Sequence, residues 1–337
     1  MAVVLALACP AGAETPRGDP AAAPALQPGF RAPRTPWGDP DLRGTWPLQA
    51  IWDAGIPLQR EDGTGPGGWL TDAEYAQRLA DAEKSDAEFS VELGGGGTNG
   101  LADWLRHSAL GRRSALLVDP PDGRLPPLTP GAEALYAKGR STWQTGGATD
   151  WIDDLDPFER CITRGFPAVM LPQPYNNGIR LFQAPGYVVL QLETFGSRVI
   201  PLGDTPRWPE PVRAWHGDSR GHWEGDTLVI ETTNIVDGDS VTRDLAHRAA
   251  GPFPGRDHAT LPVGPAARTV ERLTMTGPDT IDYRVTYSDP ATFTAPWTVA
   301  LEWTRDESYA IYEYACHEGN TAREAITAAR AGRKAKR

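Results

Sequence analysis

The sequence predicts a mainly β protein whose second half forms an antiparallel up-and-down barrel. An irregular, partly helical region precedes this barrel, and a short helix follows it. Three observations support the prediction. With 36 glycines and 32 prolines in 337 residues, turns are plentiful and long helices cannot dominate. From about Tyr187 onward, apolar and polar residues alternate with a period of two, and turn residues separate the alternating runs.

Composition excludes several classes of protein. With 40% hydrophobic and 23% charged residues, the chain can bury a core and is not a disordered protein. The formal net charge of −11 argues against nucleic-acid binding, because phosphate recognition requires a basic surface. We also expect no integral membrane span, since no apolar run reaches the roughly 18 residues that a spanning helix needs.

The first element is a predicted signal peptide over residues 1–13. An apolar stretch over residues 3–8 precedes Ala11-Gly12-Ala13, which has the A-x-A pattern of a cleavage site. A frayed apolar terminus and a lipoprotein signal at Cys9 are the alternatives. We therefore expect a periplasmic or secreted protein.

Export bears on the cysteines. Cleavage after Ala13 removes Cys9 and leaves Cys161 and Cys316. In an oxidising compartment these two form one candidate disulfide. The alternative is two buried free thiols.

The N-terminal part begins as an extended arm rich in proline and alanine over residues 14–36. Residues 37–160 then form an irregular, partly helical region, which contributes a first strand near residues 45–50 and packs on the barrel. Within it, the capping box Thr71-Asp72-Ala73-Glu74 predicts a helix over residues 71–88. A second short helix is predicted after Thr129-Pro130.

The antiparallel β-barrel is assigned to residues 161–320. Seven or eight short strands are predicted between Tyr187 and Tyr314, and a sheet of that size normally closes to remove its edges. Residues 321–337 are predicted to form the C-terminal helix and a basic tail. The clearest alternating sets are Val188, Leu190 and Leu192; Ile281, Tyr283, Val285 and Tyr287; and Trp297, Val299, Leu301 and Trp303.

Seven motifs are spread over nearly the whole chain after the arm. They are Pro36-Trp37-Gly38-Asp39-Pro40-Asp41-Leu42 with Gly44 and Trp46, Val118-Asp119-Pro120-Pro121-Asp122-Gly123, Glu159-Arg160-Cys161, Pro174-Tyr175-Asn176-Asn177, Gly217-Asp218-Ser219-Arg220-Gly221, Trp223-Glu224-Gly225-Asp226-Thr227-Leu228-Val229 and Tyr312-Glu313-Tyr314-Ala315-Cys316-His317-Glu318-Gly319-Asn320. Together they resemble a widespread, largely uncharacterised family of exported bacterial proteins. The resemblance implies one family unit but no particular reaction.

A second resemblance concerns the barrel. Gly44-Thr45-Trp46 is similar to the G-x-W motif at the start of lipocalin-type barrels, and with a helix after the last strand it implies a calycin-like or lipocalin-like fold. The chain departs from the family pattern at Gly196, where similar sequences tend to carry His. If that His is functional, this member has altered or lost activity.

The candidate catalytic residues centre on the last predicted strand. By alternation Glu313 lies on an apolar face, where burial raises the pKa of a carboxyl into the range of a general acid. His317 is the second candidate, because histidine is the residue type best suited to shuttle protons near neutral pH. A disulfide between Cys161 and Cys316 would bring Tyr175 near them. The residues predicted as catalytic are Glu313, His317, Tyr175, Glu193 and Asp218.

The predicted substrate-binding residues supply amide, guanidinium and aromatic groups. Amide and phenol donors can hold a carbonyl or hydroxyl oxygen, and tryptophans can line a pocket for sugars, aromatics or other apolar molecules. The set is Asn176, Asn177, Arg198, Tyr314, Trp223 and Trp297. A buried polar network and ordinary core packing are the alternatives, with Glu193 and Glu231 paired to Arg198 or Arg272.

No metal or cofactor is predicted. His216, Asp218, His222 and Glu224 have the chemistry of metal ligands, but solvated polar residues of a hairpin are the preferred interpretation. Gly217-Asp218-Ser219-Arg220-Gly221 fits G-x-S-x-G, yet a strand follows it where a nucleophile elbow requires a helix. Fingerprints of dinucleotide, haem or EF-hand sites are missing from the sequence.

The sequence therefore favours three functions. The first is cofactor-independent acid/base catalysis by a lyase, isomerase or hydrolase on a small, partly apolar or aromatic, hydroxylated or carbonyl compound. The second is a non-catalytic, lipocalin-like protein that binds such a molecule. The third is a carbohydrate-active or cell-envelope protein. In each case the expected partner is a small-molecule ligand.

Overall fold

A computed structural model describes residues 19–48, 56–92, 111–137, 160–163, 165–172, 176, 178–237 and 263–318. Its helices are α1 (Asp72–Glu92) and α2 (Pro130–Ala137), with short 3₁₀ turns at Pro66–Gly68 and Ala168–Met170. Its strands are β1 (Gly44–Thr45), β2 (Leu117–Asp119), β3 (Ile179–Ala184), β4 (Tyr187–Leu192), β5 (Ser197–Pro201), β6 (Asp218–Glu224), β7 (Thr227–Thr233), β8 (Arg268–Gly277), β9 (Thr280–Ser288) and β10 (Trp297–Thr304).

The predicted mainly β, antiparallel fold is confirmed. A four-stranded sheet has the order β1-β3-β4-β5, and a six-stranded sheet has the order β2-β10-β9-β8-β7-β6. Short turns join four pairs of consecutive strands, namely β3–β4, β4–β5, β6–β7 and β8–β9, and Gly225 lies in the turn between β6 and β7. The predicted alternation is also present, since Val188, Leu190 and Leu192 of β4 are buried.

The two sheets meet at β5 and β6. An isolated parallel bridge joins Leu202 to Gly221, and the Gly203 N–H donates to the Gly221 carbonyl at 3.0 Å. The intervening segment contains Pro206, Pro209 and Pro211, which have no N–H to donate to a ladder, so β5 and β6 do not form a hairpin. Among the described residues, no ladder joins the remaining edges, and closure into one cylinder stays a prediction.

Buried side chains from both sheets form one apolar core. Leu181 and Leu190 contribute from the four-stranded sheet, and Tyr283 and Trp303 contribute from the six-stranded sheet. Tyr283 and Trp303 stack with ring centroids 4.6 Å apart. The Trp46 side chain is fully buried, and its indole N–H donates to the Leu42 carbonyl at 3.0 Å. The interior is thus filled by packed side chains.

The capping box predicted at the start of α1 is confirmed. The Thr71 N–H donates to Glu74 Oε2 at 2.7 Å, and the Glu74 N–H donates to Thr71 Oγ1 at 3.3 Å. None of the described helices is long and apolar enough to cross a membrane. The predicted signal peptide and C-terminal helix lie outside the described residues.

The last strand ends earlier than predicted. β10 stops at Thr304, and residues 305–318 follow an irregular course, so a strand through Tyr312, Tyr314 and Cys316 is wrong. A turn causes the break, because Asp306 Oδ1 accepts hydrogen bonds from both the N–H and the hydroxyl of Ser308.

Candidate functional site

The predicted disulfide between Cys161 and Cys316 is present, with Cα atoms 5.6 Å apart. It joins the segment before β3 to the segment after β10 and encloses 155 residues of sequence separation. Close by in sequence, the Tyr314 ring contacts Phe195 edge-on at 5.1 Å between centroids. The bridge thus restrains residues 160–163, the short segment that contains Thr163.

Glu193, a predicted catalytic residue, is buried and fully occupied by hydrogen bonds. Its Oε2 accepts from the Gly178 N–H at 2.8 Å and from the Tyr309 hydroxyl at 2.7 Å. Its Oε1 accepts from the Tyr312 N–H at 3.5 Å. The carboxylate therefore anchors the segment after β10 to the end of β4.

Arg198 lies on β5 and is 3% exposed. Its guanidinium forms a bidentate ion pair with Glu271 of β8, at 2.8 Å to Oε1 and 2.5 Å to Oε2. It also donates to Ser219 Oγ at 3.1 Å and to Thr232 Oγ1 at 3.2 Å. The expected pairing of Arg198 with Glu193 or Glu231 is wrong, because the Arg198 side chain on β5 meets Glu271 of β8 across the core.

The other predicted ion pairs also differ from the structure. Glu231 pairs with Arg207 at 3.0 Å, and Arg272 pairs with Glu224 at 2.7 Å. Both pairs are substantially exposed, so neither of them places a carboxylate in the interior. Sequence alternation alone could not show which strands lie opposite each other.

Asp218 begins β6 and is 1% exposed. Its Oδ2 accepts from the backbone N–H of Trp208 at 2.9 Å, and its Oδ1 accepts from the Arg220 guanidinium. Arg220 donates in turn to the carbonyls of Thr205 at 3.2 Å and Pro206 at 2.5 Å. Asp218 and Arg220 therefore hold the proline-rich segment against the sheet.

A cleft of about 720 Å³ opens where this segment leaves the junction of β5 and β6. Aromatic side chains from three positions line it, namely Phe195, Trp208 and Trp215. Trp208 is 43% exposed, and Arg160 lies over the Trp215 ring with its guanidinium carbon 5.8 Å from the centroid. The polar lining includes Ser197, Arg198, His216, Asp218, Ser219 and Arg220.

His216 is the titratable cleft residue with a strongly shifted pKa. Burial, and secondarily the positive charge of Arg198, lower its pKa from 6.5 to about 4, so the imidazole is neutral at neutral pH. His216 Nε2 lies 2.9 Å from the hydroxyl of Thr163, which is fully buried. A half-buried, neutral imidazole can donate one hydrogen bond and accept another.

The structure does not gather the remaining candidates at this cleft. Glu313 and His317 are exposed, so the premise that Glu313 lies on an apolar strand face is wrong. Neither of them, nor Tyr314 or Glu193, lines the cleft. Among the predicted catalytic and binding residues, the cleft contains Arg198 and Asp218.

Three predicted binding residues lie outside the cleft. Asn176 is half-buried and adopts a left-handed backbone conformation with φ of 53°. Trp297 is 2% exposed and packs on Tyr287 and Phe293, which confirms the core-packing alternative for this side chain. Trp223 is half-buried against the core. Tyr175 and Asn177 lie outside the described residues.

In the sequence, His216 is a candidate metal ligand, with a solvated polar residue of a hairpin as the preferred interpretation. In the structure His222 contacts Glu224 at 3.2 Å on an exposed part of β6, apart from the residues that line the cleft. In the part of the chain that the structure describes, no three His, Cys, Asp or Glu side chains converge as metal ligands. The signal that could have found His216 is its position after a proline-rich segment with two tryptophans.

No family model, curated protein or solved structure matches the chain. Membership of the family that shares the seven motifs therefore stays a prediction.

Proposed function

We propose that the protein binds a small, partly apolar or aromatic compound carrying a carbonyl or hydroxyl group in the cleft between β5 and β6. One observation carries the proposal, namely an open cleft of ligand size with an aromatic wall and a neutral imidazole. Ligand sites are typically concave, of a few hundred Å³, mostly apolar and furnished with a small number of polar groups.

The engagement of the carboxylates favours binding over catalysis. Both oxygens of Glu193 and both oxygens of Asp218 accept hydrogen bonds within the protein. Donors within the protein already occupy these oxygens, so the two carboxylates are engaged with the fold rather than presented to a ligand. Glu193 and Asp218, the two buried carboxylates among the predicted catalytic residues, thus hold the fold together.

Catalysis is the second candidate, and His216 is the observation that favours it. A neutral imidazole beside a positive charge can polarise a carbonyl by donating a hydrogen bond, or can accept a proton. The enzyme would be a cofactor-independent lyase, isomerase or hydrolase acting on the same class of compound. It would need a second acid/base group, for which Tyr175 stays the sequence's candidate.

The proposed location is the periplasm or the extracellular space. The disulfide supports it, because such bonds persist in oxidising compartments. The predicted signal peptide supports it independently, from the sequence. Mass spectrometry of the protein exported from a bacterial host should find a mature chain that begins at Glu14.

Binding is tested on the oxidised full chain with acetophenone as the aromatic carbonyl probe and cellobiose as the carbohydrate probe. The indole N–H resonances of Trp208 and Trp215 are followed by NMR titration. We expect saturable shifts with acetophenone. In Trp208→Ala the affinity should fall about tenfold, since one aromatic contact contributes roughly 0.5–1.5 kcal/mol beyond its buried area.

The matched control is Trp37→Ala, because Trp37 lies outside the cleft and contacts Asp39. It should bind acetophenone as the unmodified chain does. Binding of cellobiose alone would replace this proposal by the carbohydrate function, and equal losses in both variants would remove the cleft as the site. Loss of probe over time, followed by mass spectrometry, separates the catalytic candidate.

A further inference from the structure

The Thr163 hydroxyl lies within hydrogen-bond distance of one ring nitrogen of His216, Nε2. Thr163 is fully buried, and its Oγ1 accepts a hydrogen bond from the Gly165 N–H at 3.1 Å. The hydroxyl hydrogen then needs an acceptor, because an unpaired buried donor is costly. Among the described residues, the acceptor within reach is His216 Nε2 at 2.9 Å.

A neutral imidazole carries one proton. With Nε2 accepting from Thr163, that proton lies on Nδ1. Among the described residues, Nδ1 has no hydrogen-bond partner. It is also absent from the fully buried polar atoms that lack a partner, which indicates that Nδ1 is not enclosed by protein. Since His216 lines the cleft, the Nδ1–H is available to a molecule within it.

The surrounding charge favours an oxygen acceptor at this point. Arg198 lines the same cleft as His216 and imposes a positive potential on the ring. Glu271 pairs with both terminal nitrogens of Arg198, so the buried pair has no net charge. A neutral ligand with a partly negative oxygen therefore fits this end of the cleft better than a hydrocarbon does.

We propose that the Nδ1–H of His216 is the donor that selects carbonyl-bearing ligands in the cleft, and that Thr163 is the positioning residue that fixes this tautomer. The inference rests on the proposed function, which it refines from a ligand class to a specific contact. The carbonyl oxygen of the ligand accepts from Nδ1, and its ring lies against the tryptophan wall.

The tautomer is tested first, without ligand, by long-range proton–nitrogen NMR on the oxidised full chain. Nε2 of His216 should show the resonance of an unprotonated nitrogen, and Nδ1 that of a protonated one. Thr163→Ser should keep this pattern, whereas Thr163→Val should give the averaged pattern of mixed tautomers. A protonated Nε2 in the unmodified chain, or an unchanged pattern in Thr163→Val, would overturn the role of Thr163.

Selectivity is tested with acetophenone and isopropylbenzene, which have nearly the same shape and differ in the acceptor oxygen. The unmodified chain should bind acetophenone about tenfold more tightly, the value of one good hydrogen bond. His216→Asn should retain a preference, because its amide nitrogen is bonded to Cγ as Nδ1 is. His216→Leu should bind both probes equally.

The outcomes separate the inference from the proposed function. Equal binding of both probes by the unmodified chain, or a preference that survives in His216→Leu, overturns the inference and leaves ligand binding in place. Failure of both probes to bind saturably overturns the two together. Circular dichroism of each variant shows whether it has folded, and the tautomer measurement does not depend on the leucine variant.

Discussion

At the residue scale, the buried polar side chains satisfy one another across strands. Glu271 of β8 accepts from Arg198 of β5 and, at 2.7 Å, from the Tyr283 hydroxyl of β9. Burial, with Glu271 close by, raises the pKa of Tyr283 well above 10, so its phenol stays protonated as the donor. A buried charge is tolerated in such a place because a counter-charge and several hydrogen bonds replace its hydration.

The shifted pKa of His216 predicts a pH dependence of stability. In the unfolded chain this imidazole takes up a proton near pH 6.5, whereas in the fold it does so near pH 4. The unfolded state therefore binds more protons between these values, and the free energy of unfolding falls as the pH decreases from 6.5 to 4. Since the ring is half-buried, we expect a loss of roughly 2 kcal/mol rather than the full value of the shift.

This loss is measured by urea unfolding at several pH values for the unmodified chain and for His216→Asn, which does not titrate. The difference in free energy of unfolding between the two should shrink by roughly 2 kcal/mol from pH 7 to pH 4. Parallel pH profiles would show that His216 has an ordinary pKa in the fold.

At the scale of the elements, the local patterns predicted the strands and helices well, but not where they end or meet. The alternation in β4, β9 and β10 and the capping box of α1 depend on near neighbours in sequence, which is why they are legible there. The end of β10 and the apposition of β5 and β6 depend on distant residues. Glu313 was misplaced for this reason, since its predicted burial required β10 to continue.

The junction of the sheets depends on a close approach at Gly221. A Cβ added there would lie 2.7 Å from Leu202 Cδ2 and 3.0 Å from Ile200 Cγ2. Gly221→Ala should therefore separate β5 from β6 and lower the free energy of unfolding by about 1–3 kcal/mol, as overpacking does. Chemical denaturation measures this change.

A matched control is available in α2. Gly131 has open space around an added Cβ, and alanine favours the helix, so Gly131→Ala should be neutral or slightly stabilising. If Gly221→Ala is equally harmless, the two sheets are not in tight contact at this point.

At the scale of the whole molecule, three long-range connections place the cleft. The core joins the sheets, the disulfide joins the segment before β3 to the segment after β10, and Glu193 binds the segment after β10 to β4. Thr163 reaches His216 because Cys161, two residues earlier, is held by its bridge to Cys316.

Removing the disulfide should therefore affect both stability and the site. Closing a loop of this length stabilises the fold by about 5 kcal/mol at most in the chain-entropy model. Cys161→Ser with Cys316→Ser should lower the free energy of unfolding by roughly 3–5 kcal/mol and weaken acetophenone binding, because residues 160–163 lose their attachment. Trp37→Ala, with its bridge intact, should keep its affinity. An unchanged free energy of unfolding in this double variant would contradict this account.

The sequence by itself determined the mainly antiparallel β fold, the capped first helix and the pairing candidates among its cysteines. These follow from periodicity, local hydrogen bonding and the small number of cysteines. The tertiary structure alone decided that Glu193 and Asp218 serve as anchors, that Arg198 faces Glu271, and that His216 meets Thr163 in an aromatic cleft. The physical reason is that burial and charge pairing are set by which strands lie opposite one another, and side-chain alternation along one strand carries no information about its partner.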